Sequence, residues 1–130
     1  MAAIDVEERP ALNLMIFTMR GDLSPDLMHR AQSRFYADGK AKHAILDLRA
    51  CSLDLFTLDD FKRALSLSKT RGDHRRGGVT VFIAEHPHLL ALDRLYQAYA
   101  EATPNFPVTI AIAASLDKAI AQVESANGDG

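Results

Sequence analysis

The chain has 130 residues, a formal net charge of −2 and a hydrophobic fraction of 48%. This length fits one domain with one core, and the small negative charge gives no general attraction to nucleic acid or to an anionic membrane. Cys51 is the only cysteine, which excludes an intrachain disulfide, and no apolar stretch is long enough to span a bilayer. We therefore expect a soluble cytoplasmic protein that does not bind nucleic acid.

The first predicted elements are two strands and a helix. Leu12 to Arg20 is an apolar run with β-branched and aromatic residues, and Ile4 to Glu8 can pair with it across a proline-containing turn. Ser24 is a good N-cap and Pro25 suits the first position of a helix, whose apolar spacing continues until Gly39. The pattern predicts an N-terminal antiparallel hairpin followed by helix one.

Ala44 to Leu48 is predicted to be the next strand, because a short apolar run bounded by charges is typical of a strand buried on both faces. A second helix is predicted to begin near Thr57, another good N-cap. Asp59 and Asp60 fall in its first turn, where the helix dipole favours negative charge. The dipole therefore explains these carboxylates without a catalytic role.

The second half of the chain continues this alternation of strands and helices. The polar segment from Lys69 to Gly78 is predicted to be a solvated loop, and it leads into the β-branched strand Val79 to Ala84. Pro87 begins a third helix, Val108 to Ala113 is the last strand, and Ser115 caps the last helix. The apolar side of the third helix is predicted to consist of Leu92, Leu95, Tyr96 and Tyr99.

The element order β-β-α-β-α-β-α-β-α predicts an α/β fold, with helices packed against a mostly parallel sheet. Only the N-terminal hairpin should be antiparallel. We expect residues 1–130 to form a single domain whose core extends from about Leu12 to Val123. The polar tail from Glu124 to Gly130 is expected to be disordered.

No group of residues in the sequence indicates an enzyme or a metal site. His86 and His88 lie next to Glu85, but the group lacks a third ligand at a spacing that zinc sites use. Cys51 follows a buried strand, and we expect an inert, partly buried thiol there. The sequence therefore predicts a non-catalytic protein without a cofactor.

The densest basic segment contains Arg71, Arg75 and Arg76. These residues are weak candidates for binding an anion, because Gly77 and Gly78 would let the backbone approach it closely. However, the glycines lead into a strand, whereas a phosphate cradle needs them to open a helix. A solvated loop is the simpler interpretation.

Two segments carry a resemblance to a known family. Leu46 to Arg49 (LDLR) precedes a helix that starts near Thr57, and Arg76 to Gly78 (RGG) leads into the strand Val79 to Ala84. Together with the element order, from about Leu12 to Val123, they resemble the STAS-like superfamily. This group includes the bacterial anti-sigma-factor antagonists and their STAS/SEC14-like relatives, so the resemblance implies a non-catalytic regulatory or binding module.

In the antagonists, the loop before the second helix carries an Asp-Ser-Ser-Gly stretch whose serine is phosphorylated. The resemblance matches Leu55 to Leu58 (LFTL) to this stretch and makes Thr57 the candidate phospho-acceptor. The acid, the first serine and the glycine are replaced here, and a phosphate on Thr57 would meet the like charges of Asp59 and Asp60. A phosphorylation switch therefore ranks third among the functional hypotheses.

The leading hypothesis is recognition of a protein partner through Ser52 to Phe61, which is unusually apolar for a loop that enters a helix. The alternative is carriage of a small apolar ligand, as the SEC14-like relatives suggest, in a cavity of roughly a few hundred Å³ under helices two and three. A homodimer could also cover the apolar patch, and a purely structural role as a hydrophobic staple is open for Leu53 or Phe56. The candidate contact residues are Leu53, Asp54, Leu55, Phe56, Thr57, Leu58, Asp59, Tyr96 and Tyr99.

Overall fold

Five strands and four helices alternate in residues 2–128, the part of the chain that this computed structural model describes. The strands are Ala3–Arg9 (β1), Leu14–Asp22 (β2), His43–Ser52 (β3), Gly78–Ile83 (β4) and Val108–Ala113 (β5). The helices are Pro25–Asp38 (α1), Leu58–Arg71 (α2), Pro87–Ala102 (α3) and Leu116–Gly128 (α4). The predicted element order is confirmed, with additional short 3₁₀ turns at Pro10–Leu12 and Asp73–Arg75.

The strands form one sheet in the order β1-β2-β3-β4-β5. β1 is antiparallel to β2, and all other neighbours are parallel. The predicted α/β class and the N-terminal hairpin are therefore confirmed. Because each crossover from β2 to β5 moves to the adjacent strand in the same direction, right-handed crossovers place α1, α2 and α3 on one face.

Two apolar layers join the helices to the sheet. On one face, residues of α1, α2 and α3 pack around Phe17 and Phe82. On the other face, α4 contributes Val123 to a smaller core that includes Ile45 and Val81. The central strands β3 and β4 are thus covered on both faces, which agrees with their short continuous apolar runs.

Local sequence signals set the two ends of α1. Ser24 Oγ accepts a hydrogen bond from the Leu27 backbone N–H, with a distance of 3.1 Å between the two heavy atoms. Gly39 ends the helix with a φ of +59°, a left-handed conformation that glycine adopts without strain. The predicted limits of helix one are confirmed.

The predicted disordered tail is helical up to Gly128. Asn127 anchors this end of α4, because its Nδ2 donates a hydrogen bond to the Leu12 carbonyl oxygen at 2.9 Å and its Oδ1 lies 2.8 Å from His43 Nε2. The prediction of disorder is therefore wrong for residues 124–128, because the contacts of Asn127 that hold this helix end are made to residues far away in the sequence. Residues 129–130 lie outside the described part of the chain.

The apolar stripe predicted for α3 is only partly buried. Tyr96 packs against Phe82, with ring centroids 5.3 Å apart. Leu95 is 42% exposed, so its predicted place in the stripe is wrong, and the fully buried positions of α3 are instead Leu89, Asp93 and Ala100. Although α3 is the longest helix, no helix in the described residues is both long and apolar enough to cross a membrane.

Candidate functional site

The segment from Ser52 to Phe61 connects the end of β3 to α2 in a tight turn. Ser52 Oγ accepts a hydrogen bond from the Asp54 N–H at 3.1 Å, and the Leu53 carbonyl oxygen accepts one from the Phe56 N–H at 3.0 Å. Leu53 is buried in the core and is not available to a partner. The backbone of the segment is therefore fixed by its own hydrogen bonds and by one core side chain.

Thr57 and Asp60 form a reciprocal cap at the start of α2. Thr57 Oγ1 accepts from the Asp60 N–H at 3.3 Å, while the Asp60 carboxylate accepts from the Thr57 N–H at 2.8 Å and from its hydroxyl at 2.9 Å. The hydrogen bond from the Thr57 backbone lowers the pKa of Asp60. The hydroxyl of the candidate phospho-acceptor is thus engaged in a capping box, which stabilises the helix start.

Phe56 and Phe61 pack against each other on the inner side of the turn, with ring centroids 5.6 Å apart. Phe56 precedes the N-cap and Phe61 is the fourth residue of α2, which are the positions of a hydrophobic staple. Leu53 and Phe56 therefore have the purely structural role that the sequence left open for them. Leu53 packs in the core, and Phe56 forms the staple.

Two leucines of the segment point to solvent on its outer side. Leu55 is 57% exposed and Leu58 is 44% exposed, and the exposed carboxylates of Asp54 and Asp59 lie beside them in the sequence. Asp54 Oδ1 is 3.5 Å from Nε2 of His88 at the start of α3. We call Asp54, Leu55, Leu58 and Asp59 the outer surface of this segment.

A cavity of about 100 Å³ lies on the inner side of the same segment, between the sheet and helices α1, α2 and α3. Its walls are mostly apolar and include Phe56, Phe61 and Phe82. Of the two tyrosines named as candidates for lining an apolar pocket, Tyr96 is part of the cavity wall and Tyr99 is not. The cavity is smaller than the expected few hundred Å³, so it limits a ligand to a small molecule.

Arg75 lies in the wall of the cavity and is only 3% exposed, so the prediction of a solvated loop is wrong at this residue. Its guanidinium lies 5.0 Å from the centre of the Phe35 ring, and burial lowers its pKa. Within residues 2–128 it forms no ion pair. Its hydrogen-bond acceptors are the Lys42 carbonyl at 3.1 Å, the Tyr36 hydroxyl at 3.2 Å, the Val79 carbonyl at 3.4 Å and the Thr80 hydroxyl at 2.6 Å.

The three arginines proposed as weak anion ligands do not point to one place. Arg75 faces inward, Arg71 is exposed, and Arg76 forms an ion pair with Asp73 at 2.9 Å. Gly78, one of the two glycines expected to let the backbone approach an anion, is required for packing, because a Cβ at this position would collide with the Lys42 carbonyl oxygen. This close approach brings that carbonyl within reach of Arg75.

Asp93 is a further charged residue in the wall of the cavity, which also includes Asp60. It is 3% exposed, and its Oδ2 has no hydrogen-bond partner among the described residues. Burial raises the pKa of its carboxyl group to about 7. A buried carboxylate oxygen without a partner is uncommon in folded proteins and therefore calls for an explanation.

Cys51 is not activated as a nucleophile, and His86 takes part in a local hydrogen bond. The Cys51 thiol is half-buried and donates to the Leu48 carbonyl oxygen at 3.4 Å, and burial raises its pKa to about 11, with a smaller contribution from Asp93. At neutral pH this thiol is protonated and therefore a poor nucleophile. His86 Nδ1 accepts a hydrogen bond from the His88 N–H at 3.2 Å, and the described residues contain no cluster suited to a metal ion.

Comparison with known proteins relates the fold to solved structures. An anti-sigma factor antagonist from Mycobacterium paratuberculosis matches with a TM-score of 0.58 and 19% identity, over 95% of both chains. A DUF3478 family protein with a SpoIIAA-like fold, from Shewanella loihica PV-4, matches with a TM-score of 0.60 and 17% identity, over 94% of this chain and 93% of the other. No family model and no curated protein matches the sequence. At these identities the two matches show the fold alone, which is similar to that of the antagonist and of the SpoIIAA-like protein.

Proposed function

We propose that this chain, which has the fold of an anti-sigma factor antagonist, is a non-catalytic regulatory module of the cytoplasm that binds a protein partner. Its contact region is the outer surface formed by Asp54, Leu55, Leu58 and Asp59. The observation that carries this proposal is the exposure of Leu55 and Leu58, at 57% and 44%, on a turn whose backbone is fixed by a capping box and a staple. A rigid apolar surface binds at a low cost in conformational entropy.

The flanking charges define the chemistry of the partner. Asp54 precedes the two leucines in the sequence, Asp59 follows them, and both carboxylates are exposed. The macrodipole of α2 stabilises the negative charge of Asp59. The complementary surface is an apolar pocket with Lys or Arg at its rim. Such rim charges act mainly on the association rate and make it sensitive to salt.

Charge substitution at Leu58 tests this function. Leu58 is the first residue of α2, where aspartate is favourable, so Leu58→Asp should fold normally while placing a charge in the apolar contact. The matched control is Leu95→Asp, which alters a leucine of similar exposure on α3. A partner is captured with the wild-type chain from cells of the source organism, purified, and titrated against each variant by isothermal titration calorimetry.

We expect Leu58→Asp to weaken the affinity for the purified partner at least about tenfold, because a central apolar contact carries about 1 to 2 kcal/mol or more of binding free energy. Leu95→Asp should bind as the wild type does. Equal affinities for Leu58→Asp and the wild type would remove this surface from the proposal. If the captured partner is a second copy of the chain, the surface serves self-association and not the regulation of another protein. Native mass spectrometry distinguishes a homodimer from a complex with another protein.

A phosphorylation switch at Thr57 is a weaker version of the same proposal. The Thr57 hydroxyl is only 2.9 Å from the Asp60 carboxylate, so a phosphate there would displace a like charge from the capping box. The geometry supports a permanent helix cap better than a switch. Detection of phosphothreonine at this position in the native protein by mass spectrometry would reverse that ranking.

The cavity favours a second candidate function, the carriage or sensing of a small apolar ligand. Its apolar walls and volume of about 100 Å³ suit a molecule smaller than benzene, which an engineered cavity of about 150 Å³ is known to hold. Native mass spectrometry of protein from its own cells would detect such a ligand as a mass increment. Protein that carries no increment, and that binds none of a panel of small apolar molecules, would contradict this function.

A further inference from the structure

The cavity contains a hydrogen-bond acceptor that the chain itself does not use. Asp93 is buried in the middle of α3, it lines the cavity, and its Oδ2 lacks a partner among residues 2–128. Leaving a buried polar atom without a hydrogen bond costs about 1 to 3 kcal/mol. A ligand that donates a hydrogen bond to this oxygen would remove that cost, so Asp93 marks the polar end of a binding site.

The volume of the cavity restricts the ligand to a small molecule. About 100 Å³ corresponds to roughly four non-hydrogen atoms, in proportion to the six of benzene in a cavity of about 150 Å³. The walls around Phe56, Phe61 and Phe82 require that most of these atoms be apolar. One small polar group is sufficient to meet Asp93.

The charge of the ligand follows from the other two charged residues of the cavity wall, Arg75 and Asp60. The guanidinium of Arg75 is buried and would repel a cationic ligand in a medium of low dielectric constant, while the Asp60 carboxylate is already bound to the Thr57 N–H and hydroxyl. The donors of Arg75 already bind the Tyr36 and Thr80 hydroxyls and two backbone carbonyls, so this residue does not require an anion. An anionic ligand would also repel the carboxylate of Asp93. A neutral ligand meets neither penalty.

We propose that the cavity binds a small, neutral, largely apolar molecule whose hydroxyl group donates a hydrogen bond to Asp93 Oδ2. This proposal rests on the ligand-binding function given above as the second candidate, and it adds the chemical class of the ligand. Asp93 selects the hydroxyl compound against its methyl analogue, because the methyl group leaves the carboxylate oxygen without a partner.

Propan-2-ol and 2-methylpropane provide the test, since they have nearly the same shape and the same number of non-hydrogen atoms, and differ in a hydroxyl and a methyl group. Their affinities for the chain are measured at pH 8, where the Asp93 carboxyl group is mostly ionised, by titration of amide resonances in ¹H–¹⁵N spectra. We expect propan-2-ol to bind about tenfold or more tightly than 2-methylpropane, as one hydrogen bond to a buried carboxylate supplies. In Asp93→Leu the preference should disappear, whereas the control Glu101→Leu, which removes an exposed carboxylate of the same helix, should retain it.

The outcomes separate this proposal from the carrier function on which it rests. If neither compound binds in the cavity, both are overturned. If 2-methylpropane binds the wild type as tightly as propan-2-ol does, or if the preference survives in Asp93→Leu, the role of Asp93 is overturned and the carrier function is retained. Should Asp93→Leu not fold, the ¹³Cγ resonance of Asp93 in the wild type decides, because propan-2-ol should shift it and 2-methylpropane should not.

Discussion

The ring of Phe56 packs against that of Phe61, with centroids 5.6 Å apart and the two planes inclined by 34°. This contact stabilises the start of α2 on its inner side. Leu55, the residue next to Phe56, exposes 57% of its surface to solvent. Neighbouring residues therefore have separate tasks, since one stabilises the helix start and the other is free to bind.

Phe56→Ala should lower the free energy of unfolding by about 1 to 2 kcal/mol, because a half-buried aromatic contact is lost and the cavity grows. Leu55→Ala should change it by no more than about 0.5 kcal/mol, as is usual for an exposed side chain. Urea denaturation followed by circular dichroism measures both values. Equal losses for the two variants would contradict the separation of tasks.

Thr57→Ala should destabilise the chain by about 1 kcal/mol, the usual cost of removing an N-cap side chain. Thr57→Ser keeps the hydroxyl that bonds to Asp60 and should remain within about 0.5 kcal/mol of the wild type. The midpoint of urea denaturation reports both changes. If the serine variant is as unstable as the alanine variant, the capping hydroxyl is not the source of the stability.

Arg75→Lys should reduce stability by about 2 to 4 kcal/mol. A lysine ammonium is a compact charge that cannot reproduce the planar fork, so several of the four acceptors of Arg75 would lose their donor. Arg71→Lys and Arg76→Lys are the matched controls, and at exposed positions they should stay within about 0.5 kcal/mol. Similar losses in all three variants, measured by thermal and urea denaturation, would show that burial of Arg75 is not the cause.

His43 should make stability fall in acid. Val79 N–H donates to its Nδ1 at 3.1 Å, so the proton of the neutral ring lies on Nε2 and faces Asn127 Oδ1 at 2.8 Å. Burial lowers the pKa of His43 below its ordinary value of 6.5, so below pH 6.5 the unfolded chain binds more protons and stability decreases. Urea denaturation between pH 5 and 8 should show that the wild type loses more stability in acid than His43→Gln does, a comparison in which the opposite effect of Asp93 cancels. An equal loss in the variant would contradict this prediction.

Asp93 should act in the opposite direction. Burial raises its pKa from 3.8 to about 7, so between these values the folded chain holds more protons than the unfolded chain and stability falls as the pH rises. Asp93→Asn removes this charge, and we expect it to be about 1 to 3 kcal/mol more stable than the wild type at pH 8 and closer to it at pH 4. A difference that is the same at both pH values would mean that the carboxylate does not titrate in the folded state.

Signals that act between near neighbours were sufficient to predict most of the fold. The cap at Ser24, the stop at Gly39 and the N-cap at Thr57 depend on residues within one helical turn, and the structure has all three. The strand Val108–Ala113 is confirmed to the residue because both of its ends are bounded by turn-forming residues. Such local patterns also supported the resemblance to the STAS-like fold.

The polar side of the cavity could not be predicted in the same way. Arg75 lies in a run of charged residues, and the acceptors that allow its burial come from the distant Tyr36 and Lys42 as well as from the nearby Val79 and Thr80. Asp93 did leave a signal, since it follows the buried Leu89 by four residues and therefore shares its side of α3. That spacing identifies the side of the helix but not the missing partner of the carboxylate.

The turn from Ser52 to Phe61 has Phe56 and Phe61 in the wall of the cavity and Leu55 and Leu58 on the outside. We expect a molecule that displaces Phe56 on entering the cavity to shift the adjoining backbone, which carries Leu55. Occupancy of the cavity and binding at the outer surface are then thermodynamically linked, and linkage is reciprocal. A partner that prefers the filled form would raise the affinity of the chain for the small molecule. The small molecule would raise the affinity for the partner by the same factor.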